Sequence, residues 1–204
     1  MMYHGSPKKF EVFSNSDVER NTKNETNSLG IWFTNNIEVA KKFAVKYKTD
    51  YVESKDQFWN DGSPKVFAQD APQIGYVYTA DISHLNIYTF EPSGADNDSW
   101  DTFMDYRDKF CKYITANVSW KDYYVLMNKV EANNLFIQDL KSKGYNGFII
   151  KSTEYDAIEG YISQVCIFEG AAVKIIKTQP LQEIATLQEI KDITEEAKKN
   201  YYSF

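Results

Sequence analysis

The order in which hydrophobic periodicity changes along the chain restricts the fold more than any other feature of the sequence. A short β-favouring stretch at Tyr3 runs into the turn His4-Gly5-Ser6-Pro7, and a long polar loop follows through Ser28. A compact run, Gly30-Ile31-Trp32-Phe33-Thr34, leads into helical spacing at Ile37, Ala40, Phe43, Ala44 and Tyr47. Asn35 and Asn36 offer its N-cap, with Glu38 in the first turn and Lys46 and Lys48 near the end, as the helix dipole favours. Residues 49–74, with rings at Tyr51, Phe58, Trp59 and Phe67, show no period and read as an irregular excursion. Residues 75–82 alternate as a half-buried strand, in which Tyr76 and Tyr78 read as core, and 86–90 continue as a second. From Ser99, the positions Trp100, Phe103, Met104, Phe110, Cys111 and Ile114 fall on one helical stripe. A second helix is predicted from Ser119 through Trp120, Tyr123, Tyr124, Met127 and Val130, and a third over 134–143, stopped by Gly144. Strands at 145–151, 161–168 and 172–176 precede an amphipathic helix over 181–199. Strands gathered at both ends around helices predict an α+β domain built on antiparallel sheet, not alternating βαβ units. The expected organisation is one domain over 1–180, with a helical insertion at about 99–143, and a C-terminal helix, 181–204, packed on it.

Composition removes whole classes of function. With 25% charged and 43% hydrophobic residues the chain is neither disordered nor fibrous, and 204 residues can bury roughly 70% of the unfolded surface. A net charge of −6 argues against coating nucleic acid by bulk electrostatics. Residues 1–48, however, hold 8 Lys and Arg against 5 acids, so an anionic ligand favours that third. Lys8, Lys9, Lys41, Lys42 and Lys46 read there as a solvated face or as partners for a pyrophosphate. The 32 aromatic rings exceed what a core alone requires, which predicts that some line a ligand cleft.

No leader-like apolar run opens the chain and no stretch nears 18 apolar residues, so the reading is a cytoplasmic protein without a membrane partner. Cys111 and Cys166 lie in apolar segments and read as small hydrophobes, not as a disulfide. His4 and His84 lie too far apart in sequence for zinc-type spacing, and no metal is expected. Neither a GxGxxG fingerprint nor a P-loop is present.

His4-Gly5-Ser6 on the first strand, Gly30-Ile31-Trp32-Phe33-Thr34 entering a helix with Ala40 and Phe43-Ala44, Gly144 to Ile150, and Gln164 to Phe168 follow one another in an order that resembles an ADP-ribosyltransferase. The likeness is to the diphtheria-toxin-like, H-Y-E branch that includes the poly(ADP-ribose) polymerases and small phage and bacterial enzymes. It extends over about residues 3–177. The resemblance implies a split antiparallel sheet with a cleft for NAD+ as substrate. In it His4 would bond the adenosine ribose, the backbone of Gly5 would hold the nicotinamide amide, and Trp32 would stack on nicotinamide where the branch most often has tyrosine. Ser6, Gly30, Phe33, Thr34, Ala40 and Phe43 complete the cofactor-binding motifs, and His4, Trp32 and Gln164 the catalytic set. Indole can stack but lacks the phenol oxygen.

Cleavage of the ribose–nicotinamide bond passes through an oxocarbenium-like state, which requires a flat leaving group and electron density beside the developing charge. In the family a glutamate on the late strand grips the ribose 2′-hydroxyl, and Gln164 occupies that position here. An amide accepts the same hydrogen bond without the charge that makes it roughly twice as strong. Glu159, on the preceding loop, and Glu169, on the opposite face of the strand by alternation, are the nearby carboxylates.

These residues imply a mono-ADP-ribosyltransferase acting on a macromolecule, a protein target first, with a nucleic-acid base as the other acceptor class. Small enzymes of this kind are, by resemblance, often phage effectors against bacterial immunity, or toxins. The alternatives from the same residues are a catalytically weak NAD-binding inhibitor that blocks a partner, and an NAD glycohydrolase.

Overall fold

In a computed structural model, which describes residues 1–15, 25–91, 99–118, 121–127, 129–151 and 163–202, the apolar runs near the two ends of the chain meet in one sheet. The strands are β1 (Met2–Ser6), β2 (Ile31–Thr34), β3 (Val45–Phe58), β4 (Pro64–Ile74), β5 (Tyr76–Asp81), β6 (Ile87–Phe90), β7 (Lys112–Val118), β8 (Lys121–Met127), β9 (Gly147–Lys151), β10 (Ser163–Ile167) and β11 (Lys174–Pro180). Five helices accompany them among the described residues: α1 (Ile37–Phe43), α2 (Ser99–Asp108), α3 (Lys129–Ser142), α4 (Leu181–Ile184) and α5 (Leu187–Tyr202). Among the described residues, 3₁₀ turns lie at Glu25–Leu29 and Gly170–Ala172. The seven-stranded sheet has the order β11-β5-β1-β2-β10-β9-β6, and β3-β4 and β7-β8 form separate two-stranded ribbons. From β1 through β2 and β10 to β9 each neighbour is antiparallel, whereas β6 runs parallel to β9. The α+β class expected from the sequence is the class observed.

Three local expectations are corrected. The first helix ends at Phe43, and Tyr47 lies in β3, so the segment 49–74 is a long hairpin and not an irregular excursion. Its turn is Trp59 to Ser63, where Gly62 takes φ +83° and Asp61 accepts the backbone N–H and the hydroxyl of Ser63. The second correction concerns 112–127: the stripe beginning at Ser99 stops at Asp108, and the helix expected through Tyr123 is the hairpin β7-β8. Ser119 and Trp120 lie outside the described residues, and the helical insertion is therefore helix, hairpin, helix. Third, the C-terminal helix is broken into α4 and α5 at Ala185-Thr186.

Chain contacts divide the molecule into two units: Met1–Tyr3, Phe10–Asn36 and Thr79–Ile176; and His4–Lys9, Ile37–Tyr78 and Lys177–Phe204. In the first, much of the aromatic excess goes into the core. Phe90, Phe103, Phe136 and Phe148 are buried together with Leu140, Ile150 and Cys166. Phe103 and Phe148 stack at 5.0 Å, and Phe136 meets Phe148 edge-on at 5.4 Å. Each such ring contributes about 2 kcal/mol by leaving water. Among the residues whose burial is described, the exposed rings belong to the second unit: Tyr51, Phe58, Trp59 and Phe67 on the β3-β4 hairpin, Phe43 on α1 and Tyr201 on α5.

In the second unit Lys41, read from the sequence as part of a solvated face or as a partner for a pyrophosphate, is buried. It is 6% exposed, and its Nζ donates to Glu38 at 3.0 Å and to Glu189 at 3.2 Å, joining α1 to α5. Burial opposes its charge, but the two carboxylates outweigh burial and raise its pKa. Glu189 also closes a capping box: the backbone N–H of Thr186 donates to its Oε2 at 2.6 Å, while its own N–H donates to Thr186 Oγ1 at 3.2 Å. The Thr186 hydrogen bonds and then Lys41 pull the Glu189 carboxyl down to about 2 from 4.5. A lowered folded-state pKa stabilises the native state above the ordinary value and ceases to do so as the carboxyl is protonated. The protection of the first-turn amides of α5, taken as their exchange rate relative to that of the unfolded chain at the same pH, is accordingly expected to fall as pH falls from 4.5 towards 2, and Glu189→Gln should remove most of that pH dependence. A wild-type profile as flat as the variant's would refute the lock.

Candidate active site

The strand that carries Trp32 is placed by a glycine. Gly30 has φ +149°, and a Cβ there would lie 2.2 Å from the carbonyl oxygen of Ile167, so only glycine lets β2 start flush against the end of β10. The register then follows: Trp32 opposes Cys166 and Thr34 opposes Gln164 on β10, while Cys166 opposes Phe148 and Gln164 opposes Ile150 on β9. Directly opposed residues share a face. Trp32 and Gln164 therefore share one face as diagonal neighbours on adjacent strands, a relation that spans about 7 Å.

Trp32 is half-buried, edge-on to Phe148 at 5.5 Å and 6.2 Å from Trp100. Its indole N–H donates to the carbonyl of Thr26 at 3.1 Å, so the one polar atom of the side chain is engaged within the protein. Thr34 is buried and its Oγ1 accepts the N–H of Asn36 at 3.1 Å, closing the turn into α1. Phe33 points to the opposite face, where it packs against Phe13 at 5.0 Å. Gln164 is exposed at the start of β10. Beside it, Ser163 donates its N–H to Asn35 Oδ1 at 2.8 Å and accepts the N–H of Asn35 at 3.2 Å, which ties the strand ends together.

The alternative carboxylates differ. Glu169 is exposed and paired with Lys141 at 2.7 Å, a contact that holds its carboxyl below the usual range, and Glu159 lies outside the described residues. Cys166 is buried in the face and burial pushes its thiol pKa well up, so it is no nucleophile at neutral pH. A cavity of about 200 Å³ in this unit is lined by Gly144, Tyr145, Asn146 and Phe168 of the later motifs, with Lys141 and Glu169, but by neither Trp32 nor Gln164.

The remaining motif residues belong to the second unit. Gly5 is buried because α1 lies directly on it: a Cβ would stand 1.9 Å from the carbonyl oxygen of Ala40 and 2.8 Å from the N of Ala44. The pairing of Gly5 with Ala40 is thus a backbone contact between β1 and α1. His4 is half-buried, its ring 6.2 Å from that of Tyr78, which is fully buried and donates its hydroxyl to the Lys8 carbonyl at 3.1 Å. Ser6 Oγ accepts the N–H of Lys8 at 3.2 Å. Phe43, read from the sequence as part of the apolar stripe of α1, is 67% exposed. The sequence-predicted residues thus form one set on β2 and β10 and another on β1 and α1. Thr26, which holds the Trp32 indole, had no sequence signal, since it acts through its carbonyl.

A model of the family described as ADP-ribosyltransferase in polyvalent proteins matches residues 1–182. The chain belongs to this ADP-ribosyltransferase family. No curated protein and no solved structure matches it. The match takes in every motif residue and both hairpins and ends ahead of α5. Family membership supports ADP-ribosyltransferase activity in general, with NAD+ as the substrate such enzymes use. No helix among the described residues is long and apolar enough to cross a membrane.

Gly30→Ala tests the local geometry. A side chain at that φ and against the Ile167 carbonyl should cost about 2 kcal/mol or more and lower the thermal midpoint by several degrees. An unchanged midpoint would mean that β2 and β10 do not meet as described.

Proposed function

We propose that the protein is a mono-ADP-ribosyltransferase: it binds NAD+, breaks the bond between ribose and nicotinamide, and transfers ADP-ribose to a macromolecular target. The observation that carries this reading is the shared face of Trp32 and Gln164 on adjacent strands, at the two positions where the motif order assigns a stacking ring and the ribose-binding group. Trp32 supplies a flat apolar surface for nicotinamide as it leaves. Gln164, exposed, presents an amide oxygen able to accept the ribose 2′-hydroxyl. His4 binds the adenosine ribose, the backbone of Gly5 the nicotinamide amide, and Ser6 with Lys8 and Lys9 the neighbouring polar groups. Gly30, Phe33, Thr34, Ala40 and Phe43 belong to the same motifs; the contacts above give Gly30, Ala40 and Thr34 the task of holding the strands and α1 in place.

With an oxocarbenium-like electrophile, attack on the anomeric carbon depends on orientation more than on base strength, so the acceptor is a protein side chain first and a nucleic-acid base second. By resemblance, the protein's setting is that of a phage effector against a host or bacterial immune protein, or of a toxin, acting in the cytoplasm. The neutral Gln164 favours a second reading, in which the chain binds NAD+ but transfers slowly and acts mainly by blocking a partner; hydrolysis of NAD+ without a macromolecular acceptor is a third.

Nicotinamide release from NAD+ separates these. The wild type should release it and His4→Ala should lose at least about tenfold in rate, the scale of one lost hydrogen bond at the site. Partner inhibition without release, surviving in His4→Ala, would establish the binder, and free ADP-ribose with no labelled macromolecule would establish hydrolysis. Gln164→Glu should raise turnover, because a charged acceptor strengthens the 2′-hydroxyl contact roughly twofold in energy. Unchanged turnover would show that another residue holds the ribose.

A further inference from the structure

Two large polar side chains of the first unit are sealed away from water: Arg107 of α2 is 1% exposed and Asn133 of α3 is 0% exposed. Burying a guanidinium and an amide costs free energy that apolar residues at the same positions would not. Asp108 Oδ1 lies 2.6 Å from Arg107 Nε, Arg107 Nη2 donates to Met104 Sδ at 3.6 Å, and Nη1 donates to Asn133 Oδ1 at 3.3 Å. A guanidinium can only donate, so it fixes the amide: Oδ1 must face Arg107, and Nδ2 must face away. There Nδ2 donates to Ser28 Oγ at 2.7 Å. Ser28 belongs to the 3₁₀ turn Glu25–Leu29, and the carbonyl of Thr26 in that turn accepts the indole N–H of Trp32 at 3.1 Å.

We propose that Asn133 and Arg107 are positioning residues for Trp32. The guanidinium orients the amide, the amide anchors the turn through Ser28, and the Thr26 carbonyl then sets the angle of the indole ring. A short 3₁₀ turn has weaker internal hydrogen bonds than an α-helix and gains most from such an anchor. Phe148 and Trp100 press on the indole without specifying its rotation about the strand, whereas an N–H···O=C bond is directional. The catalytic consequence rests on the reading of Trp32 as the ring that faces nicotinamide.

The test uses Ser28→Ala, which removes one hydroxyl and leaves the buried pair intact, Asn133→Ala, and Asn133→Asp, whose carboxylate accepts from both Arg107 and the Ser28 hydroxyl. Solvent exchange of the Trp32 indole N–H is followed by NMR, assigned with Trp32→Phe and referenced to Trp100; kcat and KM for nicotinamide release from NAD+ are measured alongside. In Ser28→Ala and Asn133→Ala, Trp32 exchange should rise about tenfold, the effect of roughly one hydrogen bond, with Trp100 unchanged. In the same variants kcat should fall with little change in KM, and Asn133→Asp should restore both. Unchanged Trp32 exchange, or an equal rise at Trp100, overturns the proposal, as does raised exchange with unaltered kcat in an active enzyme. Should the wild type release no nicotinamide, the transferase reading fails by itself, and exchange alone decides whether the strut reaches the ring. If Asn133→Ala does not fold, Ser28→Ala carries the decision.

Discussion

The contact between Gly30 and the Ile167 carbonyl governs the rest of the site. Because the side-chain period of a strand is two, a slip of one residue between β2 and β10 would turn Trp32 to the other face and bring Phe33 into its place. The close approach that only glycine permits at the start of β2, and the paired Asn35–Ser163 hydrogen bonds at its end, clamp the register from both sides. Trp32 and Gln164 thereby share a face with Cys166, Phe148 and Ile150, which are core. The site proposed for the chemistry therefore lies at the rim of a packed aromatic cluster.

How much of this was legible in the sequence depended on whether an element has one buried face. β2, β9 and β10 lie in the large sheet and their apolar runs were read correctly, as were α1 and α3 apart from their ends. The hairpin β3-β4 was missed because it has little buried face to enforce alternation: Tyr51 and Val52 are adjacent in sequence and both exposed. Its turn did carry a signal, Asp61-Gly62, which reads as a hairpin once the flanking rings are not required to alternate. At 112–127 the spacing of Trp120, Tyr123, Tyr124 and Met127 fits a helix by coincidence, although Tyr123-Tyr124-Val125 has the composition of a strand. Thr186-Leu187-Gln188-Glu189 was a capping-box signature and marks where the C-terminal helix restarts.

The site itself divides along the same line. Side-chain identity and parity brought Trp32 and Gln164 to one face, and the family match extends over both. Groups that act through the backbone left no trace in the residue letters, the Thr26 carbonyl above all. Gly5 and Ala40 are a related case: read as ligand contacts, they turn out to touch each other, main chain against main chain. A motif can thus record how two elements pack as well as what they bind.

The parallel pairing of β6 with β9 carries a kinetic corollary. Between Phe90 and Gly147 the chain makes α2, the β7-β8 ribbon and α3 before it returns to hydrogen-bond with β6. Such sequence-distant pairing requires closure of a large loop before any ladder bond rewards it, which slows assembly. The intervening segment supplies Phe103 and Phe136, the rings that cover this edge of the sheet. Local helix formation therefore comes early, and zippering of the outermost strand waits until those rings have gathered.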